Sequence, residues 1–319
     1  MQDKYVIGID AGGTKVAYGL FKSGGKLVDR FEHPTDIEAN GPEFCDGLIA
    51  SINGMLQKND LELENINGVG VCMPSFILFD EGRIYMTSAM TNIKDFLMRD
   101  YLEQRLHLSV VLDNDCNVAA LAEYRHGAGR GRKHMVYMSA STGIGSGLII
   151  NGELFRGSYG WAGEAGHMIA TPDEGIMCGC RNQGCYMSYA SGRYVPKHVE
   201  MRLKEGAKSI LAEYDNINCK HILDAYRAND ALAIEAVKQM AHYLAVCLFN
   251  VYQLLNIDLF VFGGGLVNYG DDLFAKVRQE FDRYNHIPQE VNFKFAELDK
   301  DFGIVGAAEL IESIEYAKS

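Results

Sequence analysis

The chain has 319 residues, of which 48% are hydrophobic, and its 30 basic and 42 acidic residues give a formal net charge of −12. This length predicts two domains, the hydrophobic fraction excludes a globally disordered chain, and the acidic balance argues against a nucleic-acid partner. Eight scattered cysteines favour a reducing compartment without disulfides, and the acidic N-terminus lacks the apolar core of a secretory signal, so we expect a cytoplasmic protein.

The first third of the chain alternates strand-like and helix-like segments. Residues 5–9 and 16–21 predict two strands joined by a turn at 10–15, which together form a β-hairpin. The predicted elements after it are a helix at 44–56, a strand at 66–71, an amphipathic helix at 96–106, a strand at 110–112 and a helix at about 117–124. This alternation predicts the α/β class.

A second hairpin follows, with strands at 135–139 and 148–150 around a glycine-rich turn at 141–147. Its plan repeats that of the first hairpin and predicts a duplicated fold with one nucleotide-handling turn in each half. The later predicted elements are helices around 211–213, at 229–255 and at 271–284, and an apolar strand at 259–262. The apolar segment 243–257 contains three amide side chains and predicts a buried core helix, not a membrane span.

Three glycine-rich turns each follow a strand of buried type. They are Asp10-Ala11-Gly12-Gly13-Thr14-Lys15, Thr142-Gly143-Ile144-Gly145-Ser146-Gly147 and Gly263-Gly264-Gly265. Glycine lets backbone N–H groups approach phosphate, Thr14 adds a hydroxyl donor, and the Asp10 carboxylate suits Mg²⁺ directly or through water. A plain hairpin turn would explain the first motif equally well, but three such turns together predict one nucleotide site. None fits the Walker motif or the full dinucleotide-binding motif.

The sequence Asp113-Asn114-Asp115 ends a predicted strand and opens a predicted helix. Asp115 could be simply the N-cap of that helix, where short carboxylates are preferred. The functional alternative is that Asp115 accepts a proton from a substrate hydroxyl while Asn114 hydrogen-bonds a neighbouring one. Phosphoryl transfer to an alcohol needs such a base, together with charge neutralisation by a metal and by backbone amides. The motif alone leaves both interpretations open.

Three cysteines and a histidine lie close together in one segment. They are His167, Cys178, Cys180 and Cys185. Three thiolates and one imidazole are four donors that a structural Zn²⁺ takes in tetrahedral geometry. Ordinary buried thiols are the alternative, but three cysteines among glycines within such a short segment are poor core material. We therefore predict a zinc site that fixes the backbone carrying Glu164.

The motifs stand in the order found in one protein family. They are Asp10-x-Gly12-Gly13-Thr14-Lys15, Asn114-Asp115-x-Asn117, Thr142-Gly143-x-Gly145-x-Gly147, Gly163-Glu164-x-x-His167, Cys178-x-Cys180-x4-Cys185 and Gly263-Gly264-Gly265. The chain resembles the ROK family of bacterial sugar kinases and sugar-responsive repressors over nearly its whole length. Residues 303–308 are similar to the start of that family's C-terminal helix. The zinc motif is specific to this family among actin-like and hexokinase-like phosphotransferases.

The resemblance implies an actin-like, ribonuclease H-like ATPase fold of the α/β class, with two domains, a duplicated core and a structural zinc site. The small domain would comprise residues 1–118 and 300–319, and the large domain residues 119–299. The implied reaction transfers phosphate from ATP, with Mg²⁺, to a hydroxyl of a hexose or amino sugar, which we expect to be the 6-hydroxyl. The resemblance also implies a homodimer.

The implied site residues fall into groups by ligand. The catalytic base is Asp115, and the sugar hydroxyls are held by Asn114, Glu164 and His167. Zinc is bound by His167 with Cys178, Cys180 and Cys185. The nucleotide and its Mg²⁺ are bound by Asp10, Gly12, Gly13, Thr14, Lys15, Thr142, Gly143 and Gly145, with adenosine near Gly264 and Gly265.

Three positions depart from the family pattern. The chain has Arg181 where glycine is usual, Ser75 where the family has the glycine of Pro-Gly, and Met187 where a glutamate usually contacts hydroxyls near C1 and C2 of the sugar. A thioether cannot replace that acceptor. Met187 therefore argues against glucose and favours a sugar with different substituents there, such as a 2-acetamido or epimeric hexose.

Three functions are open at this point: a sugar kinase, a sugar-responsive repressor and a catalytically weak sugar sensor. We expect a sugar kinase, because family members that act as repressors carry a winged helix before the first phosphate turn, which here begins at Asp10. The other alternative is a catalytically weak sugar sensor, suggested by Met187. The complete set of phosphate-turn residues together with Asp115 argues against that alternative.

Overall fold

The computed structural model describes residues 4–87, 89–298 and 301–318. The chain divides into two compact units. Unit 1 contains the residues up to Lys133, Gly147–Ala162 and the residues from Ala296 onward, and unit 2 contains His134–Ser146 and Gly163–Phe295. The predicted domain boundaries at residues 118 and 300 cut the chain elsewhere, and they remain a prediction.

The strands are β1 Tyr5–Ala11, β2 Lys15–Lys22, β3 Lys26–Pro34, β4 Ile66–Cys72, β5 Ser75–Leu78, β6 Arg83–Thr87, β7 Lys94–Phe96, β8 Ser109–Asp113, β9 Met135–Ala140, β10 Ile144–Ile150, β11 Glu153–Leu154, β12 Leu259–Gly263 and β13 Asn292–Phe295. The helices are α1 Gly41–Lys58, α2 Met98–Leu106, α3 Asp115–His126, α4 Tyr186–Ala190, α5 Val195–Lys204, α6 Cys219–Arg227, α7 Ala231–Leu255, α8 Gly270–Tyr284 and α9 Phe302–Lys318.

The main sheet of unit 1 has the strand order β3-β2-β1-β4-β8. The predicted first hairpin is confirmed, since β1 and β2 pair antiparallel. Strands β1, β4 and β8 are parallel to one another, so their carboxyl ends meet at the same edge of the sheet. A separate antiparallel sheet, β5-β6-β7, was not predicted from the sequence.

The second five-stranded sheet repeats this plan with the order β11-β10-β9-β12-β13. In each sheet, three strands that are successive in the chain lie side by side. The two remaining strands lie next to the first of these three. Within unit 2, β12 pairs in parallel with β9 and with β13, as β4 does with β1 and β8 in unit 1. The predicted duplication of the core is therefore visible as one strand order used twice.

Helix α9 packs directly on the main sheet of unit 1. Its apolar residues Ile304, Ala307 and Ile311 are buried there. A Cβ at Gly70 of β4 would collide with the carbonyl of Ala307, and a Cβ at Gly8 of β1 with the carbonyl of Ile304. The glycines in these strands therefore allow the helix backbone to lie against the sheet, and this contact brings the C-terminal helix onto the N-terminal sheet.

Helix α7 is the longest helix described, and its length and apolar composition would suffice for a membrane span. In unit 2 it packs against α4, α5, α6 and α8, and 56% of its most apolar window is buried. Its side chains Leu244, Ala245 and Leu248 are fully or almost fully buried. Helix α7 is therefore packed as the core helix that the sequence predicted.

Several predicted elements were wrong in type or extent. The helix predicted around 211–213 is only a short 3-10 turn, Ile210–Glu213, because the chain becomes extended at Tyr214. The turn predicted at 141–147 is shorter, since β10 already begins at Ile144. The predicted helix at 96–106 begins at Met98 and is preceded by β7. Helices α4, α5 and α6 were not predicted.

Candidate active site

The carboxyl ends of three parallel strands bring acidic residues together in unit 1. Asp10 of β1 is in register with Cys72 of β4, and Cys72 is in register with Asp113 of β8. Helix α3 begins two residues after Asp113, at Asp115. The turn motif and the Asn-Asp motif, which are about a hundred residues apart in sequence, therefore lie at one edge of the sheet.

The environment of Asp10 disfavours the negatively charged form of its carboxyl group. Burial and, to a smaller extent, the nearby charge of Asp115 raise the pKa of its carboxyl group from 3.8 to about 6, while a hydrogen bond from Cys72 and the charge of Lys15 oppose the shift. The carboxylate also lies against Gly303, the second residue of α9, where a Cβ would collide with it. A bound cation would offset the repulsion between Asp10 and Asp115, so the residues present fit a divalent metal site.

The turn after β1 leaves backbone groups exposed. The N–H of Gly12 donates to the carbonyl of Lys15 at 3.0 Å, and the hydroxyl of Thr35 donates to the carbonyl of Gly12 at 2.6 Å. Gly13 and Thr14 are exposed at its tip. The Lys15 ammonium pairs with Glu32 at 2.8 Å. The turn thus has a fixed backbone with an open tip, which is what a phosphate would contact.

The start of α3 decides between the two interpretations of the Asn-Asp motif. The N-cap is Asn114, whose side-chain oxygen accepts from the N–H of Asn117 at 2.8 Å. The N-cap interpretation of Asp115 is therefore wrong, because Asp115 is the first residue of the helix itself. The residue is exposed, yet desolvation by the surrounding protein atoms raises the pKa of its carboxyl group above 3.8. A carboxylate with a raised pKa at a helix start is a good candidate for a proton acceptor.

The sequence did not identify two further residues at this edge, Asp113 and Arg156. The Asp113 carboxylate is buried and forms an ion pair with Arg156 at 2.7 Å. An acidic residue directly before Asn114 was visible in the sequence, but its partner lies 43 positions away. Ser75, one of the three positions that depart from the family pattern, begins β5 and donates its hydroxyl to the carbonyl of Met73 at 3.1 Å.

In unit 2, the carboxyl ends of β9 and β12 bring the two other glycine turns together. Gly263 of β12 is in register with Ser139 of β9. Gly264 has φ +87°, in the left-handed region, and a Cβ there would collide with the backbone of Ala140, so no side chain would fit. Thr142 and Gly143 are in the turn, but Gly145 lies within β10, which corrects the prediction of a longer turn.

Met187 lies next to the turn after β9. It is in the first turn of α4, and its terminal methyl group is 3.4 Å from the position that a Cβ on Gly143 would occupy. The carbonyl of Thr142 accepts from the N–H of Arg193, just after α4, at 3.1 Å. The predicted sugar-contacting position and the predicted phosphate turn are therefore neighbours within unit 2.

Glu164 begins a short 3-10 turn, Ala165–His167, and is half-buried. The carbonyl of Gly163, directly before it, accepts from the Ser146 hydroxyl at 2.6 Å, and Gly163 has φ +90°. The next residue, Ala165, accepts a hydrogen bond from Cys247 of α7 at 3.7 Å. Glu164 is thus held on both sides within unit 2, three residues before the zinc-ligand candidate His167.

The four predicted zinc ligands converge. Their donor atoms, on His167, Cys178, Cys180 and Cys185, all lie within 4.8 Å of one another. The separation is 3.6 Å from Cys178 Sγ to His167 Nδ1 and 3.6 Å from Cys180 Sγ to Cys185 Sγ. Tetrahedral zinc with ordinary bond lengths would separate sulfur from nitrogen by about 3.6 Å and two sulfurs by about 3.8 Å. The donor set therefore fits a zinc ion.

The electrostatics of this cluster agree with a metal site. Burial lowers the pKa of His167, which keeps its imidazole neutral and able to bind a metal. Burial and the neighbouring Cys180 raise the pKa of Cys185 to about 12, a penalty on its thiolate form that a bound cation would offset. Arg181 has φ +71°, in the left-handed region that favours glycine, which is the residue usual at this position in the family. The chain thus keeps a strained turn between two ligands.

Residues 6–314 match the family model described as the ROK family. The chain belongs to the ROK family. A glucokinase of Halalkalibacterium halodurans is 32% identical, over 99% of this chain and 97% of its own length. A ROK hexokinase from Thermus thermophilus, solved by crystallography, has a TM-score of 0.86 at 28% identity, over 99% of this chain and all of that chain.

A second solved structure is a ROK family glucokinase from Streptomyces griseus in complex with glucose and AMPPNP. It is 30% identical, with a TM-score of 0.77, over 97% of this chain and 99% of that chain. The similarity to ROK family members confirms the predicted family and the predicted actin-like α/β fold. It also confirms the predicted class of enzyme, a sugar kinase that uses ATP.

Proposed function

We propose that this ROK-family kinase transfers the γ-phosphate of ATP to the 6-hydroxyl of a hexose or amino sugar, with Asp115 as the general base. The observation that carries the proposal is the position of Asp115, which is the first residue of α3 and lies beside Asp10 at the carboxyl ends of β1, β4 and β8. The raised pKa of Asp115 suits a group that must take up a proton during the reaction.

The roles within unit 1 follow from this position. Asp115 accepts the proton of the attacking hydroxyl, and Asn114 orients the sugar through the amide nitrogen that its capping hydrogen bond leaves available. Asp10 would hold Mg²⁺, which neutralises charge on the phosphates when bound. The exposed N–H groups of Gly13 and Thr14 and the Thr14 hydroxyl would contact phosphate oxygens.

The roles within unit 2 concern the nucleotide and the sugar ring. Thr142, Gly143 and Gly145 would contact phosphates, and Gly264 and Gly265 would leave room for adenosine. Support comes from the parallel pairing of β9 and β12, which brings these turns to one sheet edge. Glu164 and His167 would accept hydrogen bonds from sugar hydroxyls.

Zinc would hold His167, Cys178, Cys180 and Cys185 together and so fix the backbone of the sugar-binding segment. In a structural site the metal orients its ligands and takes no part in the chemistry. His167 could serve both partners because an imidazole has two nitrogens, and Nδ1 is the one that faces Cys178. The imidazole Nε2 would then be available to a sugar hydroxyl.

Met187 leads us to propose a sugar other than glucose. A methionine next to Gly143 offers no acceptor where the usual family member has a glutamate, so a hydroxyl placed there would lose a hydrogen bond. An acetamido group or an epimeric centre that packs against the thioether would not carry this penalty. We expect the enzyme to act in the cytoplasm as a homodimer.

The test is a coupled ADP-release assay of purified protein with ATP, Mg²⁺ and a panel of sugars: glucose, N-acetylglucosamine, N-acetylmannosamine and allose. The matched control is Asp115→Asn, which keeps the shape of the side chain but cannot take the proton. Sugar-dependent ADP release that is lost in Asp115→Asn supports the proposal, and NMR of the product identifies the phosphorylated hydroxyl.

Two results would count against the proposal. Tight sugar binding without ADP release for any sugar on the panel would instead favour the sugar-sensor alternative. Full turnover by Asp115→Asn would remove the general-base role while leaving the kinase activity.

A further inference from the structure

An ion pair with a buried carboxylate lies directly behind the start of α3. The side chain of Asp113 is only 3% exposed, and its Oδ2 accepts from Nε of Arg156 at 2.7 Å. Its Oδ1 accepts from the N–H of Asn114 at 2.8 Å and from Nδ2 of Asn117 at 2.7 Å. One buried carboxylate therefore connects Arg156 to the residues on both sides of Asp115.

Arg156 is itself held in place on its other sides. Its guanidinium lies 3.9 Å from the ring centroid of Phe79, and its carbonyl accepts from the N–H of Ala162 at 3.0 Å. In the same loop, Nε1 of Trp161 donates to the carbonyl of Ile77 at 3.0 Å. A stacked guanidinium in a closed loop is a rigid partner for a carboxylate. All these residues belong to unit 1.

We propose that Arg156 is a positioning residue for phosphoryl transfer: it holds Asp113, and Asp113 holds the backbone from which Asn114 and Asp115 project. The inference rests on the proposed function, because it takes Asp115 to be the base. Without Arg156, the carboxylate of Asp113 would be buried without a cationic partner, which strongly disfavours the observed arrangement. Asp113 would then move toward water and release the first turn of α3.

The consequence for catalysis is a displaced base. A general base must lie within hydrogen-bonding distance of the hydroxyl that it deprotonates. Among the residues that the structure describes, the phosphate turn at 12–15 forms no hydrogen bond or ion pair with Arg156, so ATP binding should not depend on it. Loss of Arg156 should therefore lower kcat much more than it raises the KM for ATP. A smaller active fraction caused by lost stability would also lower the apparent kcat at unchanged KM, so the unfolding midpoint and the rescue by Arg156→Lys distinguish the two causes.

The experiment compares Arg156→Met, Arg156→Lys and the double variant Asp113→Asn with Arg156→Met. The control is Arg130→Met, which removes an exposed pair with Glu297, 2.8 Å apart, in the same unit. For each we would measure kcat, the KM for ATP and for the sugar, and the thermal unfolding midpoint. We expect Arg156→Met to lose about 10- to 100-fold in kcat, as for a small misplacement of a reacting group, with the KM for ATP unchanged.

The other variants test whether the ion pair between Arg156 and Asp113 is what positions the base. Arg156→Lys keeps the positive charge and a nitrogen that can donate to Asp113, so it should recover much of the lost kcat. In the double variant the buried charge is gone, so its kcat should be no lower than that of Arg156→Met, because both changes remove the same interaction. Arg130→Met should be indistinguishable from wild type in every parameter.

Each other outcome overturns the inference. An unchanged kcat in Arg156→Met with an active wild type refutes the positioning role but not the proposed function. If Arg156→Met and Arg156→Lys lose kcat to the same extent and both lower the unfolding midpoint, the ion pair is merely structural. A folded wild type that transfers no phosphate refutes the proposed function, and this inference with it.

Discussion

Replacing Cys180 by serine should weaken zinc binding without disturbing the packing around the site. Cys180 is the exposed member of the cluster, whereas Cys178 and Cys185 are buried, so the change removes a thiolate and little else. Structural zinc in small domains is bound with about 12 kcal/mol, and an even share per ligand is about 3 kcal/mol. One ligand lost from four should therefore weaken zinc binding by about 100-fold.

Activity should fall more than stability. The cluster lies on a segment held by a few backbone hydrogen bonds, such as those from Ala170 to Gly184 at 2.7 Å and from Cys178 to Asn182 at 2.9 Å. The core of unit 2 is built from α7, α8, β9 and β12, outside this segment. Losing zinc should therefore loosen the backbone that carries Glu164 and raise the KM for the sugar, with a cooperative unfolding transition retained.

The assay is metal analysis of protein purified from zinc-supplemented cells, followed by competition with a chelator of known zinc affinity. The wild type should contain about one zinc per chain, as one closed set of four donors holds one ion. The matched control is Cys219→Ser, a cysteine of the same unit outside the cluster, which should keep its zinc. Zinc-free wild type, unchanged affinity in Cys180→Ser, or global unfolding of that variant would each refute the reasoning.

Three further predictions address catalysis, specificity and the fold. Asp115→Asn should lose at least about 100-fold in kcat while calorimetry shows nearly unchanged binding of ATP and sugar, and retention of more than a tenth of the turnover would rule out the base. Met187→Glu should raise kcat/KM for glucose by about 10- to 100-fold and lower it for the native sugar; a wild type that already prefers glucose would contradict this. Gly70→Ala should lower the unfolding midpoint, because the new Cβ meets α9, whereas Gly54→Ala, in open space on α1, should leave it unchanged or raise it.

The elements that the sequence predicted well are those whose cause is local. The predicted helices at 229–255 and 271–284 agree closely with α7, Ala231–Leu255, and α8, Gly270–Tyr284. Both have long apolar periodicity, and α7 begins after Asp230, whose carboxylate accepts from the N–H of Ala233 at 3.0 Å. Helix α6 carried a comparable signal that was not used, since Asn218 caps it through the N–H of His221 at 3.0 Å.

Glycine was the main source of error. Gly145 and Gly147 suggested a long turn, yet both lie in β10. A Cβ on Gly147 would collide with the carbonyl of Cys116 in α3, so this glycine serves a close approach between a strand and a helix in unit 1. The sequence does not distinguish a glycine needed for a turn from one needed for close packing, because the packing partner is distant in the chain.

The same distinction separates the candidate site residues that the sequence indicated from those that it did not. The candidate zinc ligands and the Asn-Asp motif could be proposed because each motif carries its own chemistry within a short segment. Arg156 could not, because its role depends on Asp113, 43 positions earlier, and on the aromatic ring of Phe79. A buried ion pair becomes visible only once the fold has placed both members behind the same helix start.

The repeated strand order explains why the predicted ligands come from glycine turns so far apart in sequence. In each unit, parallel strands end at one edge of the sheet, and the chain leaves that edge through a turn or a helix start. Polar groups at such ends escape the apolar core while their backbones stay fixed by the sheet. Asp10 and Asp115 therefore lie at one sheet edge in unit 1 for the same reason that the turns of Thr142 and Gly264 lie at one sheet edge in unit 2.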